Sequence, residues 1–233
     1  MLFRQLFDQE TSTYTYLIAD PTTQEAVLVD PVLEQADRDL KLLRELGLTL
    51  RFSLETHVHA DHVTSAATLR EATGSLSVVP AEAQVACADR PIHEGEILTI
   101  GSVSIQAIAT PGHTDSHMAY LVNGTHLLTG DALFIRGCGR TDFQSGDAGT
   151  LFDSITQRVF TLPDETLVYP GHDYRGHTVS SVAEEKAWNP RFVGRTRDEF
   201  IQFMQGLNLP NPKKIMEAVP ANERCGNLAS ATV

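Results

Sequence analysis

The stretch Thr56-His57-Val58-His59-Ala60-Asp61-His62 offers four metal-binding side chains among seven residues. Packing in a protein core gives no reason for three imidazoles and a carboxylate to stand so close together. A strand with alternating side chains places His57 and His59 on the same face. A helix that begins near Asp61 brings Asp61 and His62 back toward the same point. The stretch therefore predicts a metal site, with a polar loop that contains chance histidines as the alternative.

Three further candidate ligands each follow a short apolar run and stand directly after a glycine. A ligand at the end of a strand is held rigidly, and the glycine lets the backbone turn sharply and approach an ion closely. Imidazole and carboxylate suit borderline divalent ions such as zinc, iron or manganese, and the lack of cysteine argues against a structural thiolate site. These candidates are His113 after Thr110-Pro111-Gly112, Asp131 after Leu127-Leu128-Thr129-Gly130, and His172 after Tyr169-Pro170-Gly171.

The composition limits the class of protein. A hydrophobic fraction of 42% in 233 residues is enough for a substantial core. The net charge of −12 opposes binding to nucleic acid, which needs clustered lysine and arginine. No apolar run reaches the roughly 18 residues that span a bilayer, and residues 1–5 lack the features of a secretory signal. We therefore expect neither nucleic acid nor a membrane as a partner.

The number and spacing of the cysteines indicate in which redox compartment the protein works. Cys87, Cys138 and Cys225 are few, odd in number and widely separated in the sequence. This pattern suits a reducing compartment and excludes a disulfide framework. A cytoplasmic or organelle-matrix enzyme is the expectation.

Strand and helix patterns mix throughout the chain, which indicates the α/β class. Strand 50–55 is predicted to deliver the first histidines, and a helix is predicted to run from near Asp61 to Thr73. Turns that join antiparallel strands are predicted at 20–23 and at Asn123-Gly124. No linker, low-complexity segment or repeat interrupts the pattern, so one domain is expected. The predicted capping boxes are Thr150 with Asp153 and Thr196 with Glu199.

Beyond the metal motif, four longer segments carry a family resemblance. They are Gly137-Cys138-Gly139-Arg140-Thr141-Asp142-Phe143-Gln144, Tyr169-Pro170-Gly171-His172-Asp173-Tyr174, Asn189-Pro190-Arg191, and Val219-Pro220-Ala221-Asn222 with Cys225-Gly226. With these residues the chain resembles the metallo-β-lactamase fold superfamily and, within it, the persulfide dioxygenases of the ethylmalonic encephalopathy type. The resemblance implies a single domain over residues 1–233, built as a four-layer αββα sandwich with two central mixed sheets and a short C-terminal helical extension.

The resemblance also implies a chemistry. The positions that match His57, His113 and Asp131 hold one Fe(II) per chain and are the catalytic residues. Two histidines and one carboxylate leave coordination positions open for substrate and O2. The implied reaction converts glutathione persulfide, O2 and water into sulfite and glutathione, and the resemblance allows a homodimer.

In the hydrolases of this superfamily, the positions that match four other motif residues bind a second metal ion. In a dioxygenase they become outer partners that orient the ligands, tune the iron and exchange protons. The alternative is an inherited cluster with little role of its own. The four residues are His59, Asp61, His62 and His172.

Arg140 and Tyr174 are the residues that we expect near the substrate, since arginine can hold a carboxylate through paired hydrogen bonds. For Arg140 the alternative is an ion pair with Asp142 or Asp173. For Tyr174 the alternative is a core aromatic residue whose hydroxyl has a hydrogen-bond partner. Cys138 and Cys225 are candidates for persulfide acceptors or regulatory thiols, although simple packing is the expectation. His93, His126 and His177 lie outside the motifs, and a place on the surface or in the core is expected for all three.

The competing function is that of a dinuclear hydrolase of the glyoxalase II kind, which acts on glutathione thioesters. Two ions would share Asp131 and activate a bridging water. Against it, Val58 stands where that family usually has a histidine, and the chain after His172 is short. A non-catalytic sulfur carrier is a more distant alternative. Metal content separates the dioxygenase from the dinuclear hydrolase. One iron per chain favours the dioxygenase, and two ions per chain favour the hydrolase.

Overall fold

The computed structural model describes residues 1–211 and 214–227, and its strands form two six-stranded sheets. The strands of the first sheet are β1 (Leu2–Asp8), β2 (Thr13–Ala19), β3 (Glu25–Val29), β4 (Thr49–Leu54), β5 (Leu76–Pro80) and β6 (Arg90–Ile92). They lie in the order β1-β2-β3-β4-β5-β6. The pairs from β1 to β3 are antiparallel and those from β3 to β6 are parallel, so the sheet is mixed.

The second sheet is also mixed. Its strands are β7 (Ile97–Ile100), β8 (Val103–Ala109), β9 (Met118–Val122), β10 (His126–Gly130), β11 (Leu167–Pro170) and β12 (Ser180–Ser181), in the order β12-β11-β10-β9-β8-β7. Strands β10 and β11 run parallel, whereas β9 pairs antiparallel with both β8 and β10. The predicted hairpin at Asn123-Gly124 is confirmed, and both residues have a positive φ, as the tight turn requires.

The helices are α1 (Ala36–Glu45), α2 (Ala66–Thr73), α3 (Ala148–Ser154), α4 (Val182–Trp188), α5 (Arg197–Gln205) and α6 (Ile215–Asn222). A π-helical turn over Ile155–Val159 continues α3. The predicted α/β class with two mixed sheets is confirmed. No helix among residues 1–211 and 214–227 combines the length and the apolar character needed to cross a bilayer.

The chain divides into two compact units. The first comprises Met1–Ile92, Thr99–Val103 and Pro210–Val233, and the second comprises His93–Leu98 and Ser104–Leu209. In the first unit, Leu17, Leu28 and Leu50 of the sheet pack with Leu43 of α1 and Leu69 of α2. Burial of such side chains contributes about 1.5–3 kcal/mol each. A single domain over residues 1–233 stays a prediction.

The second unit has its own apolar core. Leu127 and Val168 of the sheet pack with Leu151 of α3 and Phe200 of α5. The rings of Phe192 and Phe200 stack with their centroids 4.9 Å apart. These contacts fix the strand ends that carry the candidate ligands of this unit.

Strand 50–55 is confirmed as β4 and the predicted helix ends at Thr73 as expected, but the strand does not extend through the histidines and the helix does not begin near Asp61. Strand β4 ends at Leu54 and α2 begins at Ala66, so the metal motif lies in an irregular segment, the ligand loop of residues 55–65. The sheet ladder stops because the Thr56 N–H donates to the carboxylate of Asp30 at 2.7 Å. The helix starts late because the Ser65 N–H donates to the carbonyl of Pro31.

One predicted capping box is confirmed and the other was wrong. Thr196 and Glu199 cap α5 reciprocally. The first residue of α3 lies earlier than predicted, because Asp147 is the N-cap and its carboxylate accepts from the Thr150 N–H at 2.7 Å. Aspartate is among the strongest N-cap residues, so it starts the helix. Asp153 instead pairs with Arg197 at 2.9 Å.

The cysteines also depart from expectation. Cys87 and Cys225 form a disulfide, with Cα atoms 6.0 Å apart and a sequence separation of 138. The sequence excluded a disulfide framework, and one disulfide is not a framework, but the expectation of reduced cysteines does not hold for this pair. Cysteine usage therefore no longer supports a reducing compartment. Cys138 is the free cysteine of the chain.

The end of the described chain holds the ligand loop in place. The Asn222 side chain accepts from the Thr64 N–H at 2.8 Å. Its amide group donates to the carbonyls of His59 at 2.9 Å and His62 at 2.8 Å. Because Asn222 is buried, its side chain forms these three hydrogen bonds away from solvent. A side chain from α6 thus supplies the partners that secondary structure does not provide.

We expect Asn222→Ala to lower the free energy of unfolding of the metal-free protein by about 3 kcal/mol, because three buried backbone groups lose their partner. Urea unfolding with the disulfide intact measures this loss. Glu223→Ala is the matched control, since the Glu223 side chain is exposed on the next residue. Equal stability of the two variants would contradict the proposed clamping role of Asn222.

Candidate metal centre

His57 is oriented by a chain of two hydrogen bonds in the first unit. The Thr56 hydroxyl donates to Oδ2 of Asp30 at 2.9 Å, because a carboxylate can only accept. The same hydroxyl lies 2.9 Å from Nδ1 of His57 and must accept a proton from it. The lone pair of His57 is therefore on Nε2. Both His57 and Asp30 are buried, so this orientation is fixed by packing as well.

His59 is held by two carboxylates. Its Nε2 lies 3.1 Å from Asp30 Oδ1 and 3.2 Å from Glu55 Oε2. Burial alone lowers the pKa of His59, but the negative charges and hydrogen bonds of Asp30 and Glu55 raise that pKa well above its usual value. Nδ1 of His59 is buried and has no hydrogen-bond partner among the described residues.

His62 shows the same division of its two ring nitrogens. Nδ1 lies 2.9 Å from Oδ2 of Asp61, and Nε2 is buried without a hydrogen-bond partner among residues 1–211 and 214–227. The potential ligand atoms of His59, Asp61 and His62 all lie within 4.8 Å of one another. An unpaired buried nitrogen on each of two neighbouring imidazoles is a costly arrangement unless an ion completes it. These residues therefore fit a metal.

In the second unit, His113 is fixed by a backbone carbonyl. Its Nδ1 donates to the Arg140 carbonyl at 2.7 Å, which leaves the lone pair on Nε2. That Nε2 lies 3.5 Å from Asp131 Oδ2. Nε2 of His172 lies 3.5 Å from the other oxygen, Oδ1. The carboxylate of Asp131 thus lies between two imidazoles, and its Oδ1 accepts no hydrogen bond within the described part of the chain.

Two glycines allow Asp131 to take this position. Gly130 has a φ of +47°, in the left-handed region that glycine adopts readily. The backbone turn predicted for the glycine before this ligand is therefore confirmed. A Cβ at Gly171 would lie 2.6 Å from Asp131 Oδ1, so a larger residue there would displace the carboxylate. Gly171 was predicted to serve His172, and the structure shows that it also makes room for Asp131.

Arg140 forms the ion pair that the sequence left as its alternative. Its Nε and Nη2 donate to the two oxygens of Asp142 at 2.6 and 2.7 Å. The guanidinium also lies over the ring of Phe143, 4.3 Å from the centroid. The hydrogen bond from Arg140 lowers the pKa of Asp142 below its usual value. A substrate contact for Arg140 stays a proposal.

Tyr174 does not lie in the core. Its side chain is 71% exposed, and its ring stacks on His172 with centroids 5.9 Å apart and planes inclined by 7°. The core alternative for Tyr174 was therefore wrong. An exposed aromatic face beside a candidate ligand is suited to contact a small molecule.

The remaining histidines are engaged outside these clusters. Nδ1 of His126 lies 2.9 Å from the Thr125 hydroxyl, and its ring stacks on Tyr169. His177 bonds the Asp173 carboxylate at 3.2 Å. His93 lies exposed on the surface. These contacts agree with the packing and surface roles expected from the sequence.

Four residues of the site were missed from the sequence. Asp30, Glu55 and Thr56 orient the first histidines, and His117 bonds the backbone of Asp131. Asp30 directly follows strand β3 and has a φ of +50°. A carboxylate at a strand end is the signal that identified Asp131, so Asp30 could have been found in the same way. His117 follows His113 by four residues in the same motif.

Comparisons with known proteins agree with this chemistry. The model of the "Metallo-beta-lactamase superfamily" matches residues 9–172. The mitochondrial persulfide dioxygenase ETHE1 of Mus musculus is 48% identical over 227 residues, which cover 97% of this chain and 89% of the mouse protein. Its counterpart in Homo sapiens is 47% identical over the same shares.

A solved structure extends the agreement to the fold. The crystal structure of ETHE1 from Myxococcus xanthus superposes with a TM-score of 0.95 at 56% identity, and covers 97% of this chain and 100% of that one. The predicted metallo-β-lactamase fold is confirmed. The donor set of histidines and carboxylates, with its unpaired buried nitrogens, marks the protein as one that binds a metal cofactor. The chain belongs to the metallo-beta-lactamase superfamily and, within it, to the family of the ETHE1 persulfide dioxygenases.

Proposed function

We propose that this protein is a persulfide dioxygenase, which oxidises glutathione persulfide with O2 and water to sulfite and glutathione. Membership of the persulfide dioxygenase family, over nearly the full length of this chain and of its relatives, is the observation that carries the proposal. The histidine and carboxylate donors in both units fit a metal ion, which agrees with an oxidation that needs a redox-active ion.

His57, His113 and Asp131 are the proposed ligands of one Fe(II) per chain and the proposed catalytic residues. In each histidine, Nδ1 is engaged by a neighbouring oxygen, so Nε2 is the atom offered to an ion. Anchoring of the other ring nitrogen is the usual way in which proteins orient a metal-binding imidazole. An iron ion bound by these residues would supply redox chemistry toward O2, which zinc cannot do.

His59, Asp61, His62 and His172 are proposed as outer partners of the iron. Asp30 and Glu55 prevent His59 from rotating, and Asp61 does the same for His62. Residues held in this way can orient a water molecule or exchange a proton without moving the ligands.

Tyr174 and Arg140 are the proposed substrate contacts. The exposed ring of Tyr174 lies flat on His172 and presents its outer face to solvent. For Arg140, a carboxylate of glutathione would share the guanidinium with Asp142, whose side chain is 57% exposed and can move aside. Both contacts lie on the second unit.

The remaining features of the proposal follow from charge and from the family. A net charge of −12 disfavours nucleic acid, and no membrane partner is proposed. A homodimer and a cytoplasmic or organelle-matrix location are proposed from the family resemblance. The mammalian relatives are themselves named as mitochondrial.

A dinuclear hydrolase of glutathione thioesters is the second candidate, and one observation favours it. Ligand atoms of His59, Asp61 and His62 lie within 4.8 Å of one another, which is compact enough to hold a second ion. Two ions would activate water without any redox change. The number and the kind of bound metal therefore separate the two functions.

Iron-loaded protein should consume O2 when glutathione persulfide is added, and zinc-loaded protein should not. The reason is that zinc has no accessible redox change with which to reduce O2. An oxygen electrode with matched samples measures the difference, and metal analysis should give one iron per chain. Equal O2 uptake in the two samples, or a requirement for two ions, would end the dioxygenase assignment.

His113→Ala should abolish both iron retention and O2 uptake, because it removes the imidazole that lies 3.5 Å from the Asp131 carboxylate. Iron is measured on protein purified from cells grown with iron. His93→Ala is the control, since His93 is exposed in the same unit and belongs to no proposed ligand set. Full iron content in His113→Ala would remove His113 from the ligands.

Cys138 is not expected to carry a persulfide. Burial raises the pKa of the Cys138 thiol to about 12, and the nearby charge of Arg191 offsets only part of this rise. Because the thiolate is the reactive form, a thiol with this pKa is inert near neutral pH. Its sulfur lies 4.0 Å from that of Met204, in the apolar core of the second unit.

Titration with a thiol reagent at pH 7.5 should therefore label native protein slowly and label one thiol quickly after denaturation, with the disulfide intact. Fast labelling of native protein, absent from a Cys138→Ser variant, would show that Cys138 is reactive after all.

A further inference from the structure

His117 occupies none of the proposed ligand positions, yet it touches one of the ligands. It is 1% exposed and directly precedes strand β9. Its Nε2 accepts a hydrogen bond from the backbone N–H of Asp131 at 3.0 Å. On the other side of the ring, Nδ1 lies 2.8 Å from the hydroxyl of Thr110. The imidazole therefore bridges two segments of the second unit.

These two contacts fix the proton on the ring. Because Nε2 accepts a hydrogen bond, it carries no proton, and the one proton of the neutral imidazole is on Nδ1. Nδ1 then donates to the Thr110 hydroxyl, which is fully buried. The backbone N–H of Thr110 also donates to the carbonyl of His117 at 2.9 Å. The ring thus cannot rotate without breaking its bonds to both neighbours.

The hydrogen bond matters because of where Asp131 lies. The pairing of β10 with β11 shifts register between Leu128 and Gly130, so the chain leaves the regular ladder just before Asp131. A backbone N–H in that place needs a partner other than the sheet. His117 supplies it, while the Gly139 N–H donates to the Asp131 carbonyl at 2.8 Å. The two contacts hold the main chain of Asp131 from both sides.

The orientation of this main chain decides the direction of the carboxylate. The side chain of Asp131 is short, so a rotation of its backbone moves the carboxylate away from both His113 and His172. Each of these imidazoles lies 3.5 Å from one carboxylate oxygen. A metal held by His113 and Asp131 would lose its geometry with such a rotation.

We propose that His117 is a positioning residue for the metal centre: by accepting the Asp131 N–H, it sets the direction of the Asp131 carboxylate. The inference rests on the ligand role of Asp131 in the proposed function. It does not depend on which ion is bound or on whether O2 is the co-substrate.

Three variants separate this role from that of a buried histidine that only fills space. His117→Leu keeps much of the volume and removes the acceptor. His117→Gln supplies an amide oxygen that can accept the hydrogen bond from the Asp131 N–H in place of Nε2. Thr110→Val preserves the shape of Thr110 but removes the oxygen that holds the proton on Nδ1. His126→Leu is the matched control, because His126 has a similar contact with a threonine hydroxyl but does not bond Asp131.

The probe is Co(II), added without oxygen to metal-free protein. Competition with a chromophoric chelator gives the affinity for the first equivalent, and the visible d–d absorption reports the coordination geometry. Urea unfolding of each metal-free variant measures stability separately. We expect His117→Leu to bind Co(II) about 10–100-fold more weakly and with a changed d–d spectrum. His117→Gln should recover affinity and spectrum, Thr110→Val should lie between the two, and His126→Leu should match the parent.

Parent-like affinity and spectrum in His117→Leu would overturn the proposal. So would a failure of His117→Gln to recover metal binding at parent-like stability, since the accepted hydrogen bond would then not be the cause. If His117→Leu does not fold, Thr110→Val decides: an unchanged spectrum and affinity would overturn the proposal, and a loss at parent-like stability would support it. Absence of O2 uptake in the iron-loaded parent would refute the dioxygenase function and leave the Co(II) comparison intact.

Discussion

The buried carboxylate of Asp30 is the constraint on which the ligand loop depends. One of its oxygens accepts from the Thr56 N–H and contacts His59, and the other accepts from the Thr56 hydroxyl. A single side chain therefore ends the β4 ladder, orients His57 through Thr56 and holds His59 directly. A buried carboxylate without such partners would be costly. With them, its burial makes the arrangement rigid, because each of its partners would lose a hydrogen bond if the loop moved.

The same chemical rule governs the candidate ligands in both units. Proteins usually orient a metal-binding imidazole by a hydrogen bond to its other ring nitrogen, and this chain uses a different oxygen each time. Thr56 holds His57 through a hydroxyl, Asp61 holds His62 through a carboxylate, and Arg140 holds His113 through its carbonyl. The choice of the metal-facing atom, Nε2 or Nδ1, follows from these outer contacts. The ring nitrogen that each of these imidazoles offers to an ion is thus set by a neighbouring oxygen.

Much of the architecture could be predicted from the sequence, because period and turn chemistry are local properties. The Asn123-Gly124 hairpin and the Thr196–Glu199 capping box depend on neighbouring residues only, and both are present. The ligand loop could not be predicted in this way. Its backbone groups are satisfied by Asp30 and Asn222, which are far from it in sequence, so local propensity does not decide its conformation. The start of α3 was missed for a simpler reason: Asp147 is a stronger N-cap than Thr150.

The sequence by itself determined the kind of chemistry, since imidazoles and carboxylates at glycine-flanked strand ends have few uses other than metal binding. It also determined the family, through segments that extend over nearly the whole chain. Only the tertiary structure decided the partners of these side chains. The Cys87–Cys225 disulfide, the clamp formed by Asn222 and the bond between His117 and Asp131 each join residues that no local pattern relates. Their pairing follows from the packing of the folded chain, which brings side chains that are far apart in sequence within bonding distance.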